Sequence, residues 1–219
     1  MKNLGIHDFK KAFKNYKPGP LGYYRYYSVL VPLVEQDGGL HILYEVRADT
    51  LRTQPGQVSF PGGRIEEGET PEECAVREAC EELCLKSSDI RIISPMDYLH
   101  TYSNFTMYPF LGVIDYNACT SVTASSDEVK EIFFVPLEYL MEVEPLVYNS
   151  DVYPKIPSNF PYEKINESNE YNWRKGTTSI PIYQYKDYAI WGMTALITQN
   201  LIEMMKNYQK AQPVKGKNE

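Results

Sequence analysis

Three histidines and four cysteines are few for a chain of 219 residues, and each scarcity narrows the chemistry available. Cys74, Cys80 and Cys84 crowd one predicted helix, Cys119 lies apart, and none shows the paired CxxC spacing of a zinc site. Free thiols in a reducing compartment, the cytoplasm, are the expected state. His7, His41 and His100 have no partner spacing, and no serine or cysteine sits in a nucleophile motif, so covalent catalysis is disfavoured. Positive charge is also short. The formal net charge of -7 leaves only Lys210 to Lys217 as a basic cluster, read as a solvated tail, which argues against a nucleic-acid polymer as partner. No secretory leader is recognisable. The one long apolar stretch, Ala189 to Met205, is broken by Thr194, Thr198, Gln199, Asn200 and Glu203, so no membrane association is expected.

What is present reads as one globular domain over residues 1–219, because 43% hydrophobic and 23% charged residues with interspersed signs sit in the ordinary folded range. Phe9 and Phe13, at helical spacing between His7 and Tyr16, predict a lead-in helix that Pro18-Gly19-Pro20 stops. Ser28 to Glu35 and His41 to Arg47 are β-rich runs joined at Asp37-Gly38, a step suited to the positive φ of a tight hairpin turn. Further strands are expected over Arg91 to Leu99, Thr106 to Tyr116 and Val129 to Val135, with a short helix at Leu137 to Met141. Residues 154–179 are polar and rich in Pro, Asn and Tyr, and are read as either a functional lid or a mobile loop, a candidate for setting substrate selectivity. A broad apolar face then predicts a closing helix over residues 188–207. Residues 25–143 form the expected core and 144–219 a C-terminal extension. The many tyrosines suit half-buried strands, and tyrosine-rich edges are compatible with a homodimer.

The strongest signal is acidic. Thr70-Pro71-Glu72-Glu73 combines an N-cap hydroxyl, a proline at the first helical position and a capping-box glutamate, so a helix starts there and runs toward Leu85. Glu72 and Glu73 suit the positive end of the helix dipole; Glu81 and Glu82 stand in the last turn, where the dipole repels them. Glu78 shares a helix face with both, three and four positions on, so three carboxylates come together and need compensation. A hard divalent cation with oxygen ligands, Mg²⁺ or Mn²⁺, supplies it and can complete its shell with substrate phosphate oxygens. Gly62-Gly63, after Phe60-Pro61, lets the backbone approach a ligand closely. A solvated acidic helix face is the competing reading of the glutamates taken alone.

Gly63, Glu69, Arg77, Glu78, Ala79, Glu81, Glu82 and Leu85 fall at the offsets of the Nudix box, and on these residues the chain resembles the Nudix hydrolases. The one departure is Cys84, where the box has a helix-ending glycine. Immediately upstream, Arg47, Arg52, Gly56 and Phe60-Pro61-Gly62-Gly63 are similar to the signature of the coenzyme A diphosphatase subgroup, although the opening lacks its Thr and Ser. Tyr188 to Ala195 also looks like the closing helix of these enzymes.

The resemblance implies an α/β fold, an α/β/α sandwich with a central mixed sheet between the box helix and the C-terminal helix. It implies Glu78 and Glu82 as metal ligands with Glu81 assisting, Arg77 as an orienting residue, and Glu128 as a loop carboxylate acting as ligand or base. Arg47, Arg52, Gly62 and Gly63 would contact substrate, the arginines pairing with its phosphates. The expected reaction is metal-dependent hydrolysis of the diphosphate bond of coenzyme A or a related nucleotide diphosphate. Another Nudix substrate, such as ADP-ribose or a dinucleotide, is the alternative to be separated by product analysis. A nucleotide-sensing module without catalysis is a third reading, against which the complete glutamate set speaks.

Overall fold

The computed structural model describes residues 4–22, 25–121, 125 and 127–212. The basic stretch beyond residue 212, Tyr23, Tyr24 and Ser126 therefore lie outside the described residues. The chain enters through α1 (Ile6–Phe13), which buries none of its residues. Then comes the hairpin of β1 (Arg25–Gln36) and β2 (Gly39–Arg47). Its turn uses Asp37 and Gly38 at φ 52° and 75°, the twist that suits a two-residue connection between right-handed strands.

The core elements that follow are β3 (Val58–Ser59), β4 (Gly62–Arg64), α2 (Pro71–Glu82), β5 (Ile90–Pro95), β6 (Leu99–His100) and β7 (Phe105–Ile114). After them run α3 (Tyr116–Ser121), β8 (Val129–Pro136) and α4 (Leu137–Glu142). The last part holds β9 (Leu146–Val152), β10 (Gly176–Tyr185), β11 (Tyr188–Trp191) and α5 (Gly192–Ala211). The main sheet has the order β3-β2-β1-β7-β5, with β8 beside β2 and β4 beside β1. Parallel pairing of β1 with β7, from Arg25 opposite Phe105 to Val34 opposite Ile114, makes an otherwise antiparallel sheet mixed.

Side chains alternate across a strand, so β1 and β2 can feed two cores at once. Leu30, Val34 and Leu43 point to one face and pack with Ala75 and Ala79 of α2 and with Leu83 just beyond its end. Val29, Val31, Ile42 and Tyr44 point to the other and pack with Ala195, Ile197, Leu201 and Ile202 of α5. Two polar contacts pin α5 down: the Tyr44 and Thr198 hydroxyls meet at 2.9 Å, and Thr194 Oγ1 donates to the Val58 carbonyl at 3.2 Å. The result is the α/β/α sandwich expected from the sequence. Among the described residues no helix is long and apolar enough to cross a membrane.

Three expectations are corrected. The closing helix begins at Gly192, because Tyr188–Trp191 pairs as a strand with β10, Tyr185 opposite Tyr188 and Ile182 opposite Trp191. Gly192, at φ 62°, makes the turn from strand to helix that a side chain would resist. The stretch 154–179 is not wholly loop: Tyr162–Ile165 forms a 3-10 turn and its last four residues open β10. The strand expected over Arg91 to Leu99 stops at Pro95, whose ring nitrogen has no proton for a ladder, and resumes at Leu99 as β6.

Candidate active site

The floor of the site is set by how α2 begins and ends. Thr70 and Glu73 form a reciprocal capping box, with Glu73 N–H donating to Thr70 Oγ1 at 3.3 Å and Thr70 N–H to Glu73 Oε2 at 2.8 Å. At the far end Cys84 adopts φ 53° and the Leu85 amide donates to the Cys80 carbonyl at 3.0 Å, a Schellman termination built on cysteine where glycine costs less. Between the ends, Ala75, Ala79 and Glu82 recur every three to four residues and are buried, so the helix face against the sheet carries a carboxylate among alanines. Glu78 lies on the same side with its side chain 16% exposed. Glu81 points outward at 57%.

The sheet forks to receive these acids. The edge of β1 pairs with β2 only from Leu33 to Gln36; from Tyr27 to Val29 the same strand pairs with β4. Phe60-Pro61 carries the chain across, from β3 beside β2 to β4 beside β1, and Leu30 N–H donates to the Pro61 carbonyl at 2.9 Å. At this crossing the two glycines work by close approach. Gly62 N–H donates to Glu82 Oε2 at 2.8 Å, and a Cβ on Gly62 would strike the Ser28 carbonyl. A Cβ on Gly63 would collide with the Glu78 carboxylate itself. Both glycines thus seat carboxylates.

Arg77 is the hub that aims them. Its Nε and Nη2 donate to Glu69 Oε1 and Oε2 at 2.8 and 3.1 Å, a two-pronged pair, and Nη1 reaches Glu78 Oε1 at 3.0 Å and Glu81 Oε2 at 3.4 Å. The hydrogen bond from Arg77 holds the Glu69 carboxyl below its ordinary range. Glu78 is different: desolvation outweighs Arg77 and raises its proton affinity. Glu82 is pushed up further, first by burial and then by the charge of Glu45, with a partial offset from the Gly62 amide.

Glu45 was not singled out from the sequence. It sits on β2 opposite Ser59 and is 1% exposed; the Ser59 hydroxyl donates to its Oε1 at 2.9 Å, while Oε2 is buried without a hydrogen-bond partner. Burial raises its proton affinity, the Ser59 hydrogen bond and Arg47 oppose this, and Glu128 and Glu78 add to it. A carboxylate inside the apolar run Ile42-Leu43-Tyr44-Glu45-Val46 was the available signal, since a charge at a buried strand position calls for a partner.

Of the other sequence candidates, Arg47 stands at the end of β2 on the same strand face as Glu45, with its Nε buried and unpartnered and Nη2 on the Thr53 carbonyl at 3.5 Å. Glu128 opens the approach to β8; its carbonyl accepts from Ala48 N–H at 2.8 Å, and its exposed carboxylate acts electrostatically on Glu45, Glu78 and Glu82. Arg52 is exposed in the loop between β2 and β3.

The donor set suits a hard divalent cation: all oxygen, several carboxylates of raised proton affinity, and one buried oxygen that lacks a donor. As folded, however, no group of three or more His, Cys, Asp or Glu side chains among the described residues encloses an ion-sized space. The convergence expected of Glu78, Glu81 and Glu82 is incomplete because Arg77 draws Glu81 outward.

A family model described as the NUDIX domain matches residues 25–155, more than half of the chain. The peroxisomal coenzyme A diphosphatase NUDT7 of Mus musculus is 37% identical over 123 residues, covering 56% of this chain and 50% of that protein. Nudix hydrolase 3 of Caenorhabditis elegans is 35% identical over 117 residues, 52% of this chain and 49% of the relative. The uncharacterized Nudix hydrolase NudL of Klebsiella pneumoniae is 28% identical over 204 residues, 90% of this chain and 93% of its own length. The chain thus spans about half the length of the first two relatives.

Proposed function

The chain belongs to the Nudix family, and from that premise we propose that it hydrolyses the diphosphate bond of coenzyme A or a derivative, releasing 3′,5′-ADP and 4′-phosphopantetheine or its acyl form. The observation that carries this reading is the set of box glutamates at the sheet fork together with Arg47, which acts electrostatically on Glu45 of the same strand and whose buried Nε has no hydrogen-bond partner among the described residues. An unpaired buried donor is costly, and a phosphate oxygen would satisfy it. The upstream signature through Arg52 and Gly56, together with the mouse relative that is a coenzyme A diphosphatase, supports the choice of coenzyme A among nucleotide diphosphates.

In this mechanism Glu78 and Glu82 would hold a divalent cation, Mg²⁺ or Mn²⁺, with Glu81, here paired with Arg77, assisting. When bound, that cation polarises phosphoryl oxygens and lowers the pKa of water. Arg47 and Arg52 bind and orient substrate phosphates, Gly62 and Gly63 bring the backbone close to the reacting group, and Glu128 or Glu81 accepts the proton of the attacking water. Arg77 touches no reacting atom and acts by fixing Glu78. We read residues 25–143 as the catalytic core and 144–219 as an extension of the same domain. The four free cysteines fit a reducing compartment such as the cytoplasm.

The test is a metal-dependence assay of purified protein with coenzyme A and ADP-ribose side by side, products resolved by chromatography. Preferential release of 3′,5′-ADP supports the reading. Efficient cleavage of ADP-ribose with coenzyme A untouched would overturn the substrate assignment, and no cleavage of either with Mg²⁺ or Mn²⁺ would overturn the activity.

A further inference from the structure

We infer that Glu45 is a metal ligand of this chain, sharing a divalent cation with Glu82 at the inner wall of the sheet fork. The inference rests on the hydrolase reading above and adds a strand carboxylate to the acids of the box helix. Glu45 is not a surface acid folded inward by chance. It stands opposite Ser59, at the point where β3 leaves β2 to cross toward Gly62, and Gly62 is the residue whose amide holds Glu82. Leu43 and Glu45 share one strand face, and Leu43 packs in the core under α2, so the Glu45 side chain lies between sheet and helix.

Two carboxylates so buried need compensation, because burial strips each of the water that stabilises its charge. The protein provides little. Among the described residues none of the ion pairs involves Glu45 or Glu82. Arg77 spends its guanidinium on Glu69, Glu78, Glu81 and the Arg64 carbonyl. Lys130 is engaged by Asp49 and Lys206 by Glu144, and Arg47, on the same strand, offsets the burial of Glu45 only electrostatically, with no ion pair to it. One neutral hydrogen bond from Ser59 reaches Glu45 Oε1, and among the described residues nothing hydrogen-bonds Oε2. A hard cation coordinated by that oxygen and by Glu82 removes both the orphaned acceptor and the repulsion between the acids.

The experiment is a Mn²⁺ titration of the full chain, stripped with EDTA, followed by calorimetry and by the Mn²⁺-induced rise in Tm, on wild type, Glu45→Gln, Glu45→Thr and Glu82→Gln. The Glu45 variants are expected to lose about tenfold or more in Mn²⁺ affinity, roughly 1.4 kcal/mol, with a metal-free Tm equal to or above that of wild type. Wild-type affinity in Glu45→Gln, with affinity lost in Glu82→Gln, would overturn the inference and leave the hydrolase reading standing; unchanged affinity in both would remove both. Should the Glu45 variants not fold, anomalous scattering from a Mn²⁺-soaked wild-type crystal decides. A peak within coordination distance of Glu45 Oε2 and Glu82 supports the assignment, and a metal bound by the helix glutamates alone refutes it.

Discussion

The Glu78 carboxylate lies close against Gly63, where a Cβ would collide with it, and is held from one side by Arg77, so both packing and charge fix its position. Replacing it with glutamine keeps the shape and removes the anion. Glu78→Gln should therefore lower turnover at least about a hundredfold while leaving near-ultraviolet circular dichroism unchanged. Retained turnover in the folded variant would end the assignment of this residue. Cys84 offers the opposite experiment. A side chain held at positive φ stores about 1 kcal/mol of strain, and this one is exposed with only a weak contact from Sγ to the Glu81 carbonyl at 3.9 Å. Cys84→Gly should raise stability by up to about 1 kcal/mol in a denaturant titration; a loss of stability would mean that the thiol contributes packing the helix end needs.

Helix α2 must be held at both ends if its buried glutamates are to stay under the sheet. Thr70→Ala removes the cap hydroxyl that receives the Glu73 amide and should cost about 1 kcal/mol in the same titration, with metal affinity little changed because the acids lie two turns on. A collapse of metal binding instead would make the cap part of the site. At this scale the sequence was most informative where structure is local. The capping box and the hairpin turn at Asp37-Gly38 follow from residues a few positions apart. It was silent where partners are remote. The exposed polar run Asn149-Ser150-Asp151 of β9 has no alternation to betray a strand and is defined by pairing with β10 some 30 residues on. Tyr188–Trp191 merges with the helical pattern after it and becomes a strand only because β10 lies alongside. Glu45 interrupts an apolar run, but its effect on Glu82 arises only once the sheet is assembled.

Taken whole, the molecule joins a carboxylate-bearing face under α2 to a second face under α5, where the smaller sheet of β9, β10 and β11 packs through Tyr183 and Ile190. Between β9 and β10 the connection is tied together by its own aromatics: Phe160 and Tyr171 meet Trp173 edge-on, and the Trp173 indole donates to the Tyr162 hydroxyl at 3.4 Å. Such a self-packed loop can be shortened without opening the core. Trimming residues 154–175 should change relative rates across free and acylated coenzyme A by several-fold while altering the best rate less, measured as kcat/KM over a thioester panel. Equal effects on every thioester would remove the loop from substrate selection.

The amide of Gly62 has a carboxylate of the helix as its acceptor where a neighbouring strand would normally supply a carbonyl. Its exchange with deuterium is therefore a local gauge of whether helix and crossing are latched. Whatever draws Glu82 away, a proton, an ion or a substitution, frees that single N–H while the ladders around it stay closed.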